Sequence, residues 1–446
     1  AVIGLLGAVA ASCLLLWSLR RNPSGTAVAM WHGGLIVDRF SLFVTITACV
    51  SALFTCLLAG TYVARIRTRS AGFFSLLLVA TAGISALGAQ HEMLTLFIAL
   101  TLVLLSLTAI AMLLKTGSDS LRAGWAMFIE GGAALGLVLY GLALLYGATG
   151  TSDLSAVRAG VARGAAATTL GAALVVFGFT FALGIFPLHR WLARVARGVP
   201  AVPAAFIVVA AMTAGAVTLL RIDAAGLGAV LHPAIGLGTL LAAIALAAAA
   251  AAALRATRLS TLLAAGASAQ GAVLFVAVVA TSGAAESPAA LLFAVVVFSL
   301  TILAAFGVAA MLQNAGLGDE LADVRGLARR SPAAAVFLAC ALATLAGVPP
   351  LAGFVARLFI IIATMDAGLG WLAIILLAAT VATGVPLVRV LASMWAEPGD
   401  EQPFTLLATP RLGRMAAAFC CLGAFYLTVL AEPLLFVARG AAGTVL

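Results

Sequence analysis

Long apolar runs separated by short polar stretches follow one another along almost the whole chain. About 20 apolar residues in a helix span the ~30 Å hydrocarbon core of a bilayer. Runs of about this length predict thirteen transmembrane helices, over 1–19, 38–60, 71–88, 93–114, 122–148, 166–188, 203–220, 228–252, 259–280, 289–312, 332–365, 371–396 and 412–438. The pattern predicts an all-α polytopic membrane protein, a single membrane domain over 1–446.

Two of these runs contain proline within closely similar stretches of sequence. The stretch "GIFPLHRW" contains Pro187, and "GVPPLAGF" contains Pro349 and Pro350. Proline removes a backbone hydrogen bond at a cost of about 3 kcal/mol in a helix interior, and lipid offers the freed carbonyl no partner. We expect both helices to be broken and both breaks to be buried in protein, where transporters use such sites to meet ions or water.

The two proline segments also indicate an internal repeat. They align at an offset of 163 residues, which pairs Pro187 with Pro350, Gly184 with Gly347 and Arg194 with Arg357. The alignment predicts one five-helix repeat over 71–221 and another over 228–397, with flanking helices in 1–60 and 412–438. An odd number of helices per unit places the two units in opposite orientations, as inverted repeats.

Composition and charge narrow the class further. The chain is 64% hydrophobic and only 9% charged, which excludes a soluble domain of this length. Its net charge of +9 comes from basic residues in short loops, with fifteen on one side of the predicted membrane and six on the other. The richer side is expected to be cytoplasmic, so Leu446 lies outside, and no nucleic-acid role follows.

Metal and cofactor motifs are missing from the sequence. The six cysteines are scattered through apolar stretches, without a CxxC motif or a cluster of histidines. Neither a zinc site nor an iron–sulfur site is therefore predicted, and no cofactor is expected in this chain.

Four segments resemble the antiporter-like membrane subunits of respiratory complex I, the proton-pumping NADH:quinone oxidoreductase, and are most similar to its subunit N. They are "GIFPLHRWLARVARGVPAVPAAF", similar to the family's Pro-Phe-His-x-Trp-Leu-Pro-Asp segment, "DVRGLARRSPAAAVFLACALATLAGVPPLAGFVARLFI", "HEMLTLFIAL" and "VLYGLALLYGATGT". The resemblance implies a bacterial cytoplasmic (inner) membrane, sister antiporter-like subunits as partners and no redox chemistry in this chain. Subunit N usually has fourteen helices in bacteria, and because the sequence opens on Ala1 within an apolar run, we expect a further helix upstream.

At the positions that carry protons in the family, this chain differs. The resemblance implies a buried Glu and several lysines, but those positions read Thr101, Ala126, Ala182 and Met212. The lysine of the second broken helix is replaced by Arg357. A guanidinium stays protonated in proteins, so Arg357 is able to hold an anion but not to relay a proton.

Four side chains remain as candidates for a proton path: Glu130, His189, Arg357 and Gln270. Glu130 is either a displaced carboxylate of a remodelled path or an acid hydrogen-bonded to a neighbouring helix. His189 either titrates near neutrality or is a neutral imidazole that satisfies the broken backbone. Gln270 is able only to orient water.

The sequence leaves three functions open. The first is a subunit of a complex I type oxidoreductase with weakened or lost proton translocation. The second is a homologous subunit of a membrane-bound hydrogenase, a multisubunit cation/proton antiporter or an inorganic-carbon uptake complex. The third is an independent secondary transporter, which requires polar side chains at the breaks that this sequence largely lacks.

Overall fold

The computed structural model describes residues 1–21, 27–60, 62–63, 70–113, 118–154, 157, 166–227, 235–397 and 411–444. Helices make up almost all of this part of the chain, which confirms the all-α prediction. One small antiparallel hairpin, β1 (Val28–Met30) and β2 (Leu35–Val37), lies in the stretch between the first two predicted spans, where the sequence indicated only a polar loop.

The main helices are numbered here in chain order. They are α1 (Val2–Arg21), α2 (Arg39–Leu58), α3 (Ser70–Ala89), α4 (Met93–Met112), α5 (Ser118–Thr149), α6 (Ala166–Ala182), α7 (Arg190–Gly198), α8 (Ala201–Ile222), α9 (Ile235–Leu254), α10 (Leu259–Ala280), α11 (Ser287–Asn314), α12 (Pro332–Ala346), α13 (Ala352–Asp366), α14 (Gly370–Met394), α15 (Arg411–Val429) and α16 (Ala431–Ala442).

Ten helices of the described residues are long and apolar enough to cross a membrane, and they match ten of the thirteen predicted spans. The predicted span 166–188 is broken into α6 and α7, and 332–365 is broken into α12 and α13. The predicted span 412–438 is bent, because α15 and α16 meet at an angle of 85°.

Three helices form the centre of the bundle. The membrane-spanning part of α8 is entirely buried, and 94% of the residues in the membrane-spanning parts of α10 and α11 are buried. The corresponding fractions are 33% for α5 and 39% for α14. Central helices carry apolar residues all round, because every face meets protein. The peripheral helices keep one face for lipid or for a partner.

A buried ion pair joins three elements near one end of the bundle. Asp38 caps α2 by accepting a hydrogen bond from the Ser41 backbone N–H at 2.7 Å, and its second oxygen accepts from Arg221 at 2.9 Å. Arg221, near the end of α8, also donates to the Gln90 carbonyl at 2.8 Å, just after α3. Both charged side chains are less than 8% exposed. The pair therefore connects α2, α3 and α8, a link that the sequence did not suggest.

Replacing Arg221 with Gln should lower the free energy of unfolding by about 3–5 kcal/mol, because the buried Asp38 carboxylate then loses its partner. Unfolding curves of the full chain in mild detergent measure the change. The matched control is Arg439→Gln, which removes exposed ion pairs with Glu286 and Glu432 and should cost less than about 1 kcal/mol. Equal losses in the two variants would contradict the role assigned to the buried pair.

Candidate functional site

The helices before both breaks end in the same way. Gly184 and Gly347 adopt left-handed conformations, with φ of 64° and 75°. After α6, the Ile185 N–H donates to the Thr180 carbonyl at 3.0 Å, and after α12 the Val348 N–H donates to the Ala343 carbonyl at 3.0 Å. Each glycine N–H also donates to the carbonyl three residues earlier, which completes a Schellman motif. Glycine is required at these positions because a side chain disfavours positive φ.

At the first break, neutral side chains satisfy the freed carbonyls. The Trp191 indole N–H donates to the Phe181 carbonyl at 2.9 Å, and the Ser268 hydroxyl donates to the Gly184 carbonyl at 2.7 Å. Trp191 belongs to α7, whereas Ser268 belongs to α10. The freed carbonyls of the first break are thus satisfied by one side chain from the second half of the broken helix and by one from the central helix α10.

At the second break, a charged side chain satisfies the freed carbonyls. The Arg357 guanidinium, only 3% exposed, donates to the carbonyls of Thr344, Leu345 and Gly353. It also donates to Gln270 Oε1 at 3.0 Å, and the Gln270 amide donates back to the Leu345 carbonyl at 3.2 Å. Among the described residues, no carboxylate pairs with Arg357. The guanidinium caps α12 instead of holding an anion.

The expectation that both breaks are wholly buried needs a correction. The residues that carry the capped carbonyls, Thr344 and Leu345, are buried, but Pro349 and Pro350 are exposed in the isolated chain, and Pro187 is half-buried. The prolines lie beyond the capped turn, where the backbone has already left the helix. Burial is required only for peptide groups that lack a partner.

Glu130 and His189 lie at the first break. Glu130, on α5, forms an ion pair with Arg194 on α7, and both side chains are about one quarter exposed (25% and 28%). The second Glu130 oxygen and His189 Nδ1 are buried, and neither has a hydrogen-bond partner among the described residues. The structure therefore pairs the Glu130 carboxylate with a cation, and it places the His189 ring against the Pro187 backbone at the break.

The substituted family positions lie in apolar or self-satisfied surroundings. Ala182 lines a cavity of about 30 Å³ whose walls are entirely apolar, including Leu104, Met127 and Phe181. Met212 is buried, and the Thr101 hydroxyl donates back to the Phe97 carbonyl of its own helix at 2.7 Å. A cavity needs several polar partners to hold water, so this one is expected to be dry.

The described contacts form two separate polar clusters. Glu130 and Arg194, with His189 close by in sequence, make up the first, and Arg357 with Gln270 the second. Helix α10 contacts both breaks, because the Ser268 hydroxyl donates a hydrogen bond at the first break and the Gln270 amide donates one at the second. Directly after Gln270, a Cβ on Gly271 would lie 2.0 Å from the Leu183 carbonyl oxygen, so α10 packs directly on the broken backbone.

Sequence reasoning missed Arg194 as the partner of Glu130. The 163-residue offset had already paired Arg194 with Arg357, which marks an arginine in the second half of each broken helix. It also missed Trp191 and Ser268, whose roles depend on which carbonyls lie opposite them. No group of three or more His, Cys, Asp or Glu able to hold a metal occurs in the described part of the chain.

The sequence comparisons all identify the same family of membrane proteins. Residues 90–383 match the family model described as NADH:quinone oxidoreductase/Mrp antiporter, transmembrane, and this range contains all four motif segments. NADH-quinone oxidoreductase subunit N 1 of Sorangium cellulosum is 33% identical over 83% of this chain and 76% of its own length. Subunit N 2 of Acidobacterium capsulatum is 32% identical over 93% of this chain and 86% of its own length.

Solved structures share the fold. A chain of respiratory complex I from Thermus thermophilus superimposes with a TM-score of 0.79 at 26% identity, covering 97% of this chain and 92% of that one. A chain of the Mrp complex from Dietzia sp. gives 0.83 at 20% identity, covering 99% and 91%. A chain of an archaeal membrane-bound sulfane sulfur reductase gives 0.87 at 19% identity, covering 100% and 91%. The last two show the fold alone.

Replacing Arg357 with Lys should lower the free energy of unfolding by about 1–3 kcal/mol, because one ammonium is unable to reach three carbonyls and Gln270 together. Detergent unfolding of the full chain measures the loss. Arg389→Lys, on the exposed face of α14, is the matched control and should change stability by less than about 0.5 kcal/mol. If Arg357→Lys were as stable as its control, the capping role would be wrong.

Proposed function

Since this chain belongs to the NADH:quinone oxidoreductase/Mrp antiporter family of membrane proteins, we propose that it is a subunit-N-type member of the membrane arm of a proton-translocating NADH:quinone oxidoreductase. We propose further that its own proton translocation is weakened or lost. The subunit would then contribute mainly the mechanical continuity of the membrane arm.

The observation that carries this proposal is the chemistry at the family's proton-path positions. A proton relay needs groups that gain and lose protons, linked by water or by hydrogen bonds. Ala182 instead borders a dry apolar cavity, and Met212 is buried. Thr101 bonds its own helix, and a hydroxyl does not titrate in the physiological range.

The state of Arg357 supports the same proposal. Its hydrogen bonds go to three backbone carbonyls and to Gln270, an amide that has no proton to exchange. A guanidinium in this position stabilises the break but releases no proton at physiological pH. The second break thus has the broken backbone that is typical of transporter sites, but Arg357 occupies it as a structural cation in place of a group that relays protons.

Glu130 and His189 remain as the candidates for a proton path at the first break. Glu130 is held in an ion pair with Arg194. His189 has a buried Nδ1 without a partner among the described residues, and it offers no described bond toward Gln270 or Arg357. These two groups support at most a short path that ends at the first break.

We propose the remaining features on the same basis. Sister antiporter-like subunits of a bacterial inner-membrane complex are the expected partners, the chain carries no cofactor of its own, and 71–221 and 228–397 are inverted repeats. Leu446 is placed outside by the charge bias, although several residues in that count, including 65–69, 115, 158 and 163, lie outside the described residues.

The two alternative functions have less support. Subunits of other machines share this fold, but the relatives above 30% identity described here are subunits N of NADH-quinone oxidoreductases. An independent secondary transporter needs a polar cavity at the breaks, and the cavity at Ala182 is apolar and holds only about 30 Å³.

The proposal predicts that Glu130→Gln leaves the number of protons moved per electron pair unchanged. The measurement uses the purified parent complex in proteoliposomes, with NADH oxidation and proton uptake recorded together. As a control, the buried Glu that a sister antiporter-like subunit carries at the position of Thr101 is replaced by Gln, which should lower the ratio.

A full family stoichiometry that Glu130→Gln abolishes would contradict the proposed loss of translocation. An assembled complex whose NADH oxidation rate falls without a change in the ratio would instead indicate an effect of Glu130 on the fold. The content of each subunit in the purified complex separates these two outcomes.

A further inference from the structure

A basic cavity lies where one end of α5, the end of α7 and the start of α10 meet. Its volume is about 340 Å³, and it is lined by Asp119, Arg122, Ala123, Arg194, Arg197, Gly198 and Arg258. The wall between α5 and α7 is tightly packed, since a Cβ on Gly198 would lie 2.6 Å from the Asp119 carbonyl oxygen. The cavity is therefore a defined space between packed helix ends.

The charge of this cavity is strongly positive. Four guanidinium groups face one carboxylate, and Asp119 pairs at 3.6 Å with Arg122, both being about four-fifths exposed. Arg194 pairs with Glu130, but Arg197 and Arg258 form no ion pair with a carboxylate of the described residues. The N-terminus of α5 lies at the cavity and adds partial positive charge. This concentration of unneutralised charge favours an anion.

The surroundings of the cavity indicate which anion. It lies at the ends of helices long enough to span a membrane, where lipid headgroups are expected, and all four arginines belong to the side of the predicted membrane that is richer in basic residues. Leu121, Trp125 and Phe128 of α5 continue from the cavity as an exposed apolar strip, 47%, 52% and 41% exposed. Trp is typical of the membrane–water interface, with lipid chains below it.

We propose that this cavity binds the phosphate headgroup of an anionic phospholipid. Arg197 and Arg258 donate hydrogen bonds to the phosphate oxygens, and the acyl chains lie along Leu121, Trp125 and Phe128. A phosphate has the charge and the acceptor geometry that guanidinium groups match best, and the apolar strip distinguishes a lipid from free phosphate.

This site touches the first break through a shared residue. Arg194 lines the cavity and also pairs with Glu130. A bound phosphate therefore competes with the Glu130 carboxylate for the same guanidinium. Lipid occupancy would weaken the Glu130–Arg194 pair and so adjust the packing of α7 against α5.

The test measures which lipids stay with the protein. The full chain, purified in its parent complex and exchanged into mixed micelles of phosphatidylglycerol and phosphatidylcholine, is examined by native mass spectrometry. We expect the Arg197→Gln/Arg258→Gln variant to retain phosphatidylglycerol with an apparent affinity about tenfold or more lower than the unmodified protein, and phosphatidylcholine equally. Arg255→Gln, on an exposed arginine outside the cavity, is the matched control and should retain both lipids unchanged.

Several results would overturn the proposal. One is equal retention of phosphatidylglycerol by the double variant and its control. A second is complete displacement of the lipid by inorganic phosphate at millimolar concentration, which would make this a site for free phosphate. A third is cross-linking of Arg197 and Arg258 to an acidic segment of a neighbouring subunit with no lipid retained. The single variant Arg258→Gln, on an exposed side chain, is measured in parallel and should show an intermediate loss.

Discussion

A peptide carbonyl freed by a helix break inside a bilayer must find its hydrogen bond within the protein, because lipid offers none. Both broken helices of this chain satisfy their freed carbonyls in two ways. Each helix ends in the same backbone cap, at Gly184 or Gly347, and side chains donate further hydrogen bonds. Helix α10 serves both breaks, with Ser268 at one and Gln270 at the other. Its near-complete burial follows from this position, and so does the need for Gly271, which lets α10 pack against the Leu183 carbonyl.

The same constraint accounts for a permanent cation at the second break. Capping a broken helix requires a donor that is always present, and a guanidinium meets that need without giving up its charge. A relay requires a group that loses its proton in turn. Arg357 satisfies the first requirement and fails the second, and its four hydrogen bonds to oxygen leave the second break stable but without a titratable base.

Charged side chains of the described residues concentrate where helix ends meet. Arg221 joins α8 to the cap of α2, Arg194 joins α7 to α5, and the basic cavity lies beside the Arg194–Glu130 pair. A charge at a helix end stays near water or near another charge and avoids most of the desolvation cost of the membrane interior. Arg357 is the contrasting case, since it is buried and is compensated by backbone carbonyls, by Gln270 and by the face of the Phe298 ring.

The sequence by itself determined the membrane class, the approximate helix positions, the two breaks and the family, because each depends on the length of apolar runs or on residues close together in the chain. It also located Glu130, Gln270 and Arg357. The tertiary structure decided their partners: Arg194 lies 64 residues from Glu130, and Gln270 lies 87 residues from Arg357. It also decided that the prolines of the second break are exposed, that the last segment bends, and that four arginines share one cavity. Helix periodicity records which face of a helix is apolar, but the neighbour of that face is set by packing between distant segments.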